Sequence, residues 1–253
     1  MPTVGVEFAK VSYTPTGGHL VLRDISLALE EGTTTALLGR SGSGKTTLLR
    51  MVNALVQPTT GSVAVHGRTV SGITDEAQLV ELRRGIGYVI QETGLFPHMT
   101  VARNVSLALE LAGRSKSECE RRAREVLDLT GLDFDSFGQR YPWQLSGGQR
   151  QRAGVARALA LDPPVLLMDE PFGALDPLTR AEMQTMVKGL MDRMGKTVLV
   201  VTHDLNEAIY MADRVLFMEQ GCIVADLPSN EVLRSEKLKV KDYIFSVYGQ
   251  LKA

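Results

Sequence analysis

The sequence predicts an α/β protein built on a buried, largely parallel sheet with an antiparallel portion beside it. Three observations carry this. Four short runs rich in Val, Ile or Leu, at 35–38, 86–90, 165–168 and 198–201, end at Gly39, Gln91, Asp169 and Thr202. Continuous apolar runs of that length suit strands covered on both faces of a parallel sheet. Helix-type spacing fills the stretch between the second and third runs, and polar–apolar alternation marks the N-terminal part.

The elements follow in order. Val4, Val6, Phe8 and Val11 lie among polar residues, and 62–66 alternates too, so both stretches read as half-buried antiparallel strands. Ser115 followed by Glu118 has the form of a capping box, and Ala123, Val126, Leu127 and Thr130 continue at helix spacing. Residues 145–161 read as helical after their glycines. Residues 214–227 hold two apolar pieces split by Glu219-Gln220-Gly221, a hairpin signal. In open α/β sheets ligands bind beyond the carboxyl ends of the strands, so the four run-ends are expected to converge on one site.

Bulk properties narrow the class. With 253 residues, 28 Lys and Arg against 29 Asp and Glu, and a net charge of -1, the chain lacks the basic surplus of a nucleic-acid binder. Cys119 and Cys222 stand far apart without a CxxC or His/Cys cluster, as two free thiols in a reduced compartment would. Residues 1–5 show no secretion signal, and no apolar run approaches the ~18 residues of a membrane span. Work at a membrane is therefore expected from the cytoplasmic side, through a partner. No repeat or long linker divides the chain.

Gly39-Arg40-Ser41-Gly42-Ser43-Gly44-Lys45-Thr46 matches G-x-x-x-x-G-K-[ST] in full, after an apolar strand and before the helical Thr47-Leu48-Leu49-Arg50. Glycines let backbone N–H groups turn toward phosphate, and the helix end adds its dipole. Lys45 brings a full charge to the β/γ oxygens, and the Thr46 hydroxyl is a ligand for Mg²⁺. No N-K-x-D base-reading tetrad follows. Tyr13 lies upstream, an aromatic able to stack on adenine or to fill core space. Asp169 at its strand end can hold the Mg²⁺ shell, and Glu170 reaches further toward an attacking water as general base. Gln91 offers a neutral amide to Mg²⁺ or that water. His203, in Thr202-His203-Asp204, offers an imidazole to the γ-phosphate. Leu145-Ser146-Gly147-Gly148-Gln149 reads as a second anion site, with flexible glycines, a hydroxyl and a helix N-terminus. Two such helix ends and one nucleotide loop are reconciled by a head-to-tail homodimer, in which loop 145–149 of one copy closes on ATP held by the other.

Taken together these motifs resemble the ATP-binding cassette ATPases over nearly the whole chain. Tyr13 matches the A-loop, 39–46 the Walker A loop, Gln91 the Q-loop and 145–149 the signature. Residues 165–170 match Walker B with its glutamate, Ala174-Leu175-Asp176 the D-loop and His203 the switch histidine. The resemblance implies a P-loop NTPase with a RecA-like core, an antiparallel β subdomain and a helical subdomain, here about 92–160, in one domain over 1–253 with a tail at about 228–253. It also implies ATP and Mg²⁺, binding by 39–46, Thr47, 146–149 and Asp176, a sandwich dimer, and permease subunits with an external substrate-binding protein.

A finer resemblance, to importers of quaternary amines such as glycine betaine and choline, rests on Tyr88-Val89-Ile90-Gln91, Gly94-Leu95-Phe96-Pro97-His98-Met99-Thr100, Arg140-Tyr141-Pro142 and 170–180. Other cargo (an amino acid or a lipid) and a soluble non-transport ATPase are the alternatives. The last usually shows tandem cassettes or a long coiled coil, whereas the roughly 100 residues between Walker A and signature hold no sustained heptads. About 50 residues follow His203, too few for the paired CBS domains of many betaine-type ATPases, so none is expected. Leu95, Phe96 and Pro97 offer a groove for a permease helix, while Leu95 and Phe96 can equally pack the helical subdomain, and the two readings are compatible.

Overall fold

The computed structural model describes residues 3–249. Met1 and Pro2 of the N-terminal signal reading, and 250–253 of the expected tail, lie outside the described residues. The chain opens with strands β1 (Val4–Tyr13), β2 (Leu22–Glu30) and β3 (Thr34–Leu38), helix α1 (Lys45–Val52), strands β4 (Thr60–Val65) and β5 (Arg68–Thr69), and helix α2 (Glu76–Arg84). Strand β6 (Ile86–Val89) is followed by helices α3 (Val101–Leu111), α4 (Lys116–Leu129), α5 (Phe134–Phe137) and α6 (Gly147–Leu159), with a 3₁₀ turn at Pro142–Gln144. Then come β7 (Val165–Asp169), α7 (Pro177–Met194), β8 (Thr197–Thr202), α8 (Leu205–Met211), β9 (Arg214–Glu219), β10 (Cys222–Pro228), a 3₁₀ segment Ser229–Arg234 and α9 (Leu238–Tyr248). These elements divide between two units. One gathers the described residues up to Leu79 and from Thr197 on, and the other is Val80–Lys196.

The first unit holds an antiparallel sheet ordered β2-β1-β4-β5. Its alternation is the expected one, with Val6, Phe8 and Val11 buried and Glu7 and Lys10 exposed. The same unit runs β10-β9-β3-β8, in which β9, β3 and β8 are parallel and β10 returns antiparallel through the turn Gln220-Gly221. Every residue of β3 and β8 is buried, as uninterrupted apolar runs demand. Ala36, Leu38, Leu205, Ala208, Val215, Phe217 and Val240 make one core, against which Tyr243 and Ile244 of α9 pack. Each large side chain there contributes ~1.5–3 kcal/mol by leaving water.

The second unit pairs β6 and β7 in parallel. Ser115 caps α4 as expected, accepting from Glu118 N while the Glu118 carboxylate accepts from Ser115 N. Ala123, Val126 and Leu127 face inward, and the buried Thr130 hydroxyl donates to Val126 and Leu127 carbonyls. Helix α6 begins at Gly147 itself and stops at Leu159, two residues short of the expected Leu161. The cause is Asp162, at φ 53° and directly before Pro163, a position where helical backbone is disfavoured. Both cysteines are free thiols, and burial pushes that of Cys119 up. Among the described residues no helix is long and apolar enough to cross a membrane.

Candidate active site

Strand register places the candidate residues. Leu38 of β3 lies opposite both Thr202 of β8 and Phe217 of β9. Gly39 and His203, each the next residue along, therefore leave parallel strands at one level. Gly39 is forced by close approach, since a Cβ there would sit 2.3 Å from the Met218 carbonyl oxygen and 2.9 Å from Ser43 Oγ. The loop turns through Gly42 and Gly44 at φ 79° and 104°, backbone that side chains resist. Gly44 is the N-cap of α1, which no side chain caps.

Lys45 opens that helix at 5 % exposure, its ammonium donating to the carbonyls of Gly39 (2.8 Å) and Arg40 (2.9 Å). Ser43 Oγ is buried and makes no hydrogen bond. A buried cation, an orphaned hydroxyl and a glycine-bounded turn at a helix N-terminus fit a phosphate chain. Thr46 and Thr47 follow, half-buried in the first turn of α1. Tyr13 ends β1, half-buried, opposite Leu22; the Leu22 side chain lies 2.8 Å from where a Gly44 Cβ would be. Half-burial leaves part of the ring outside the core.

In the second unit Val89 lies opposite Met168, so Gln91 and Glu170 emerge side by side. Gln91 Nε2 lies 3.4 Å from Glu170 Oε2, as a donor. Asp169, 5 % exposed, accepts from the Tyr88 hydroxyl at 3.3 Å. Glu170 adopts φ 45°, left-handed backbone that a non-glycine residue adopts at a cost of ~1–3 kcal/mol when its surroundings hold it there. Buried Pro171 and Phe172 do the holding, with Gly173 N bonding back to the Glu170 carbonyl at 3.3 Å.

Loop 145–149 departs from its sequence reading. Gly147 and Gly148 are not flexible turn glycines; they are the first two residues of α6. Ser146 Oγ accepts from Gln149 N at 3.2 Å and Gln149 Oε1 accepts from Ser146 N at 3.0 Å, a capping box. Gly148 is small because Thr179 of α7 approaches: a Cβ there would lie 2.5 Å from Thr179 Cγ2. Asp176 caps α7, and its hydrogen bonds with Thr179, side chain first and then backbone, hold its carboxyl below the usual range.

Three further residues organise this unit. Arg157 of α6 donates to the Gly94 and Thr93 carbonyls, both at 2.6 Å, and burial lowers its pKa. Asn104, fully buried, accepts from Phe96 N (2.7 Å) and donates to the carbonyls of Phe96, Met99 and Thr100. These two brace the stretch after Gln91, in which Leu95 is half-buried and Phe96 is 42 % exposed. Tyr88 was visible in the sequence only as part of a subgroup pattern, although its place three residues before Gln91 on a parallel strand points toward the neighbouring strand end.

The ABC transporter family model matches residues 22–173. The osmoprotectant import ATP-binding protein OsmV of Salmonella typhimurium is 43 % identical over 227 residues, 90 % of this chain and 58 % of that protein. The glycine betaine uptake system ATP-binding protein YehX of Escherichia coli K12 is 43 % identical over 219 residues, 87 % of this chain and 69 % of that protein. The chain thus spans 58–59 % of the length of the first curated relatives it matches. Among solved structures, the dimeric post-hydrolysis state of the ATP-binding cassette MJ0796 with ADP and Pi superposes with a TM-score of 0.80 at 35 % identity, covering 88 % of this chain and 98 % of that one. The fold is that of a P-loop NTPase with a RecA-like core, an antiparallel β subdomain and a helical signature subdomain. The chain belongs to the ABC transporter family.

Proposed function

We propose that the chain is the ATP-hydrolysing subunit of an importer for quaternary-amine osmoprotectants such as glycine betaine or choline. The cargo class is supported by relatives named for osmoprotectant, choline and glycine betaine transport. In this reading Tyr13 stacks on adenine, while Lys45 and the N–H groups of 39–47 hold the phosphates. Glu170 takes the proton of the attacking water, Gln91 orients that water, and His203 donates to the γ-phosphate. Thr46, Asp169 and Gln91 offer the hard oxygen donors that would hold Mg²⁺, which supplies charge neutralisation at the β- and γ-oxygens. A second copy contributes Ser146, Gly147, Gly148, Gln149 and Asp176, as the dimeric cassette neighbour suggests. The subunit works at the cytoplasmic face of the membrane on permease subunits that an external binding protein feeds. Leu95 and Phe96 form part of the permease-facing surface, for which the exposure of Phe96 is the support.

The observation that carries the hydrolytic reading is the Gln91–Glu170 pair at adjacent ends of parallel strands. Its test is Glu170→Gln. ATP binding is expected within about threefold of wild type, steady-state hydrolysis to fall at least ~100-fold, and an ATP-dependent dimer to accumulate in light scattering. Wild-type turnover would remove Glu170 as the base.

A further inference from the structure

Helix α9 lies outside every motif of the nucleotide site, yet two of its hydroxyls reach the turn that carries His203. Tyr243 Oη donates to the His203 carbonyl at 2.9 Å, and Tyr248 Oη bonds Asn206 Oδ1 three residues further on. The His203–Asp204 peptide is thereby held at both ends, because the Asp204 N–H donates to Thr202 Oγ1 at 3.0 Å. A peptide plane gripped at its C=O and its N–H has little freedom in ψ of His203, which fixes the Cα–Cβ direction from which the imidazole projects.

The ring of Tyr243 is equally constrained. It meets Phe217 edge-on at 5.7 Å and 80°. Tyr243 also lines a cavity of ≈ 420 Å³ together with Arg40, Ser41, Gly42 and Ser43 of the phosphate loop. Lys239, one turn earlier on α9, lines it too and pairs with Glu219 of β9 at 2.7 Å. Burial pushes the Tyr243 hydroxyl up to about 12, so it remains a donor through the working pH range.

We propose that Tyr243 is a positioning residue for ATP turnover: by holding the His203 carbonyl it fixes the turn that presents the imidazole, and so makes α9 part of the hydrolytic apparatus. This rests on the assignment of His203 to the γ-phosphate. The step concerns alignment in the transition state more than ground-state binding, so it should appear in kcat and hardly in KM.

The test uses the full chain with Tyr243→Phe, which deletes the hydroxyl and keeps the ring on Phe217. Loss of one such hydrogen bond should lower kcat by about three- to tenfold, with KM for ATP changed less than about twofold and Tm by less than about 3 °C. In the His203→Ala background, followed by single-turnover hydrolysis, Tyr243→Phe should cost nothing more. Wild-type kcat in Tyr243→Phe, or an undiminished loss in the His203→Ala background, overturns the proposal. Wild-type kcat in His203→Ala alone is a separate result that overturns the role of His203 itself.

Discussion

The two helix-opening loops, 39–46 before α1 and 145–149 before α6, look alike as strings of small residues and differ in what their backbones are built to do. The first turns through left-handed glycines, and no side chain caps its helix. The second has glycines in helical backbone, and Ser146 and Gln149 cap each other. In the first, no side-chain cap occupies the helix N-terminus; in the second, the chain satisfies two of its own donors. Of the two Gly-rich helix starts, only the first is left without a side-chain cap. Loop 145–149 keeps the Ser146 hydroxyl at an exposed corner, which suits a group that meets ATP on another copy better than one that grips it alone.

The comparison breaks most visibly at Gly39. Gly39→Ala drives a methyl to 2.3 Å from a backbone carbonyl oxygen on β9, which no rotamer change relieves. Overpacking of that kind should cost ~3 kcal/mol of stability and at least ~100-fold in affinity for a fluorescent ATP analogue. Denaturant unfolding and equilibrium titration read the two effects. A variant that binds nucleotide normally would show that the loop does not depend on its contact with β9.

Gly148→Ala should behave differently because the obstacle is a side chain. The methyl of Thr179 lies 2.5 Å from the new Cβ, while Ala is the better helix former by ~1 kcal/mol. Overpacking of ~1–3 kcal/mol should outweigh that gain, leaving Gly148→Ala less stable than wild type by ~1 kcal/mol. Adding Thr179→Ser removes the clashing methyl and should return urea stability to within ~0.5 kcal/mol of wild type. If the pair shows no coupling, close packing is not why residue 148 is glycine.

This difference also separates what the sequence makes legible from what it hides. Buried strands, the phosphate loop and the Ser115 cap are readable because each depends on neighbours within a few residues. The four run-ends are readable as ends of strands, and parallel register then sets Gly39 level with His203 and Gln91 level with Glu170. Gly148 is misread because its reason lies on Thr179, across a helix contact with no local signature. Arg157 and Asn104 are missed for the same reason: their partners are carbonyls of 93–100, which every residue possesses. Helix α9 carries no side-chain cap and is dense in lysine at its start, so only the placement of Tyr243 against His203 gives it meaning.

The smallest effect sharpens the comparison furthest. Ser146→Ala removes the acceptor for Gln149 N and should cost about 1 kcal/mol in unfolding free energy, the usual worth of an N-cap. ATP affinity of the isolated chain should stay within about twofold, since in the proposed reading Tyr13 and 39–47 of the same chain supply the grip. The ATP-dependent dimer trapped by Glu170→Gln should weaken by about tenfold or more, because a hydroxyl that meets phosphate makes a charge-assisted bond worth more than a neutral one. Analytical ultracentrifugation of Glu170→Gln with and without Ser146→Ala reads that shift directly. A tenfold loss of monomer affinity instead would place Ser146 on the nucleotide of its own chain, and the two loops would then differ in strength rather than in kind.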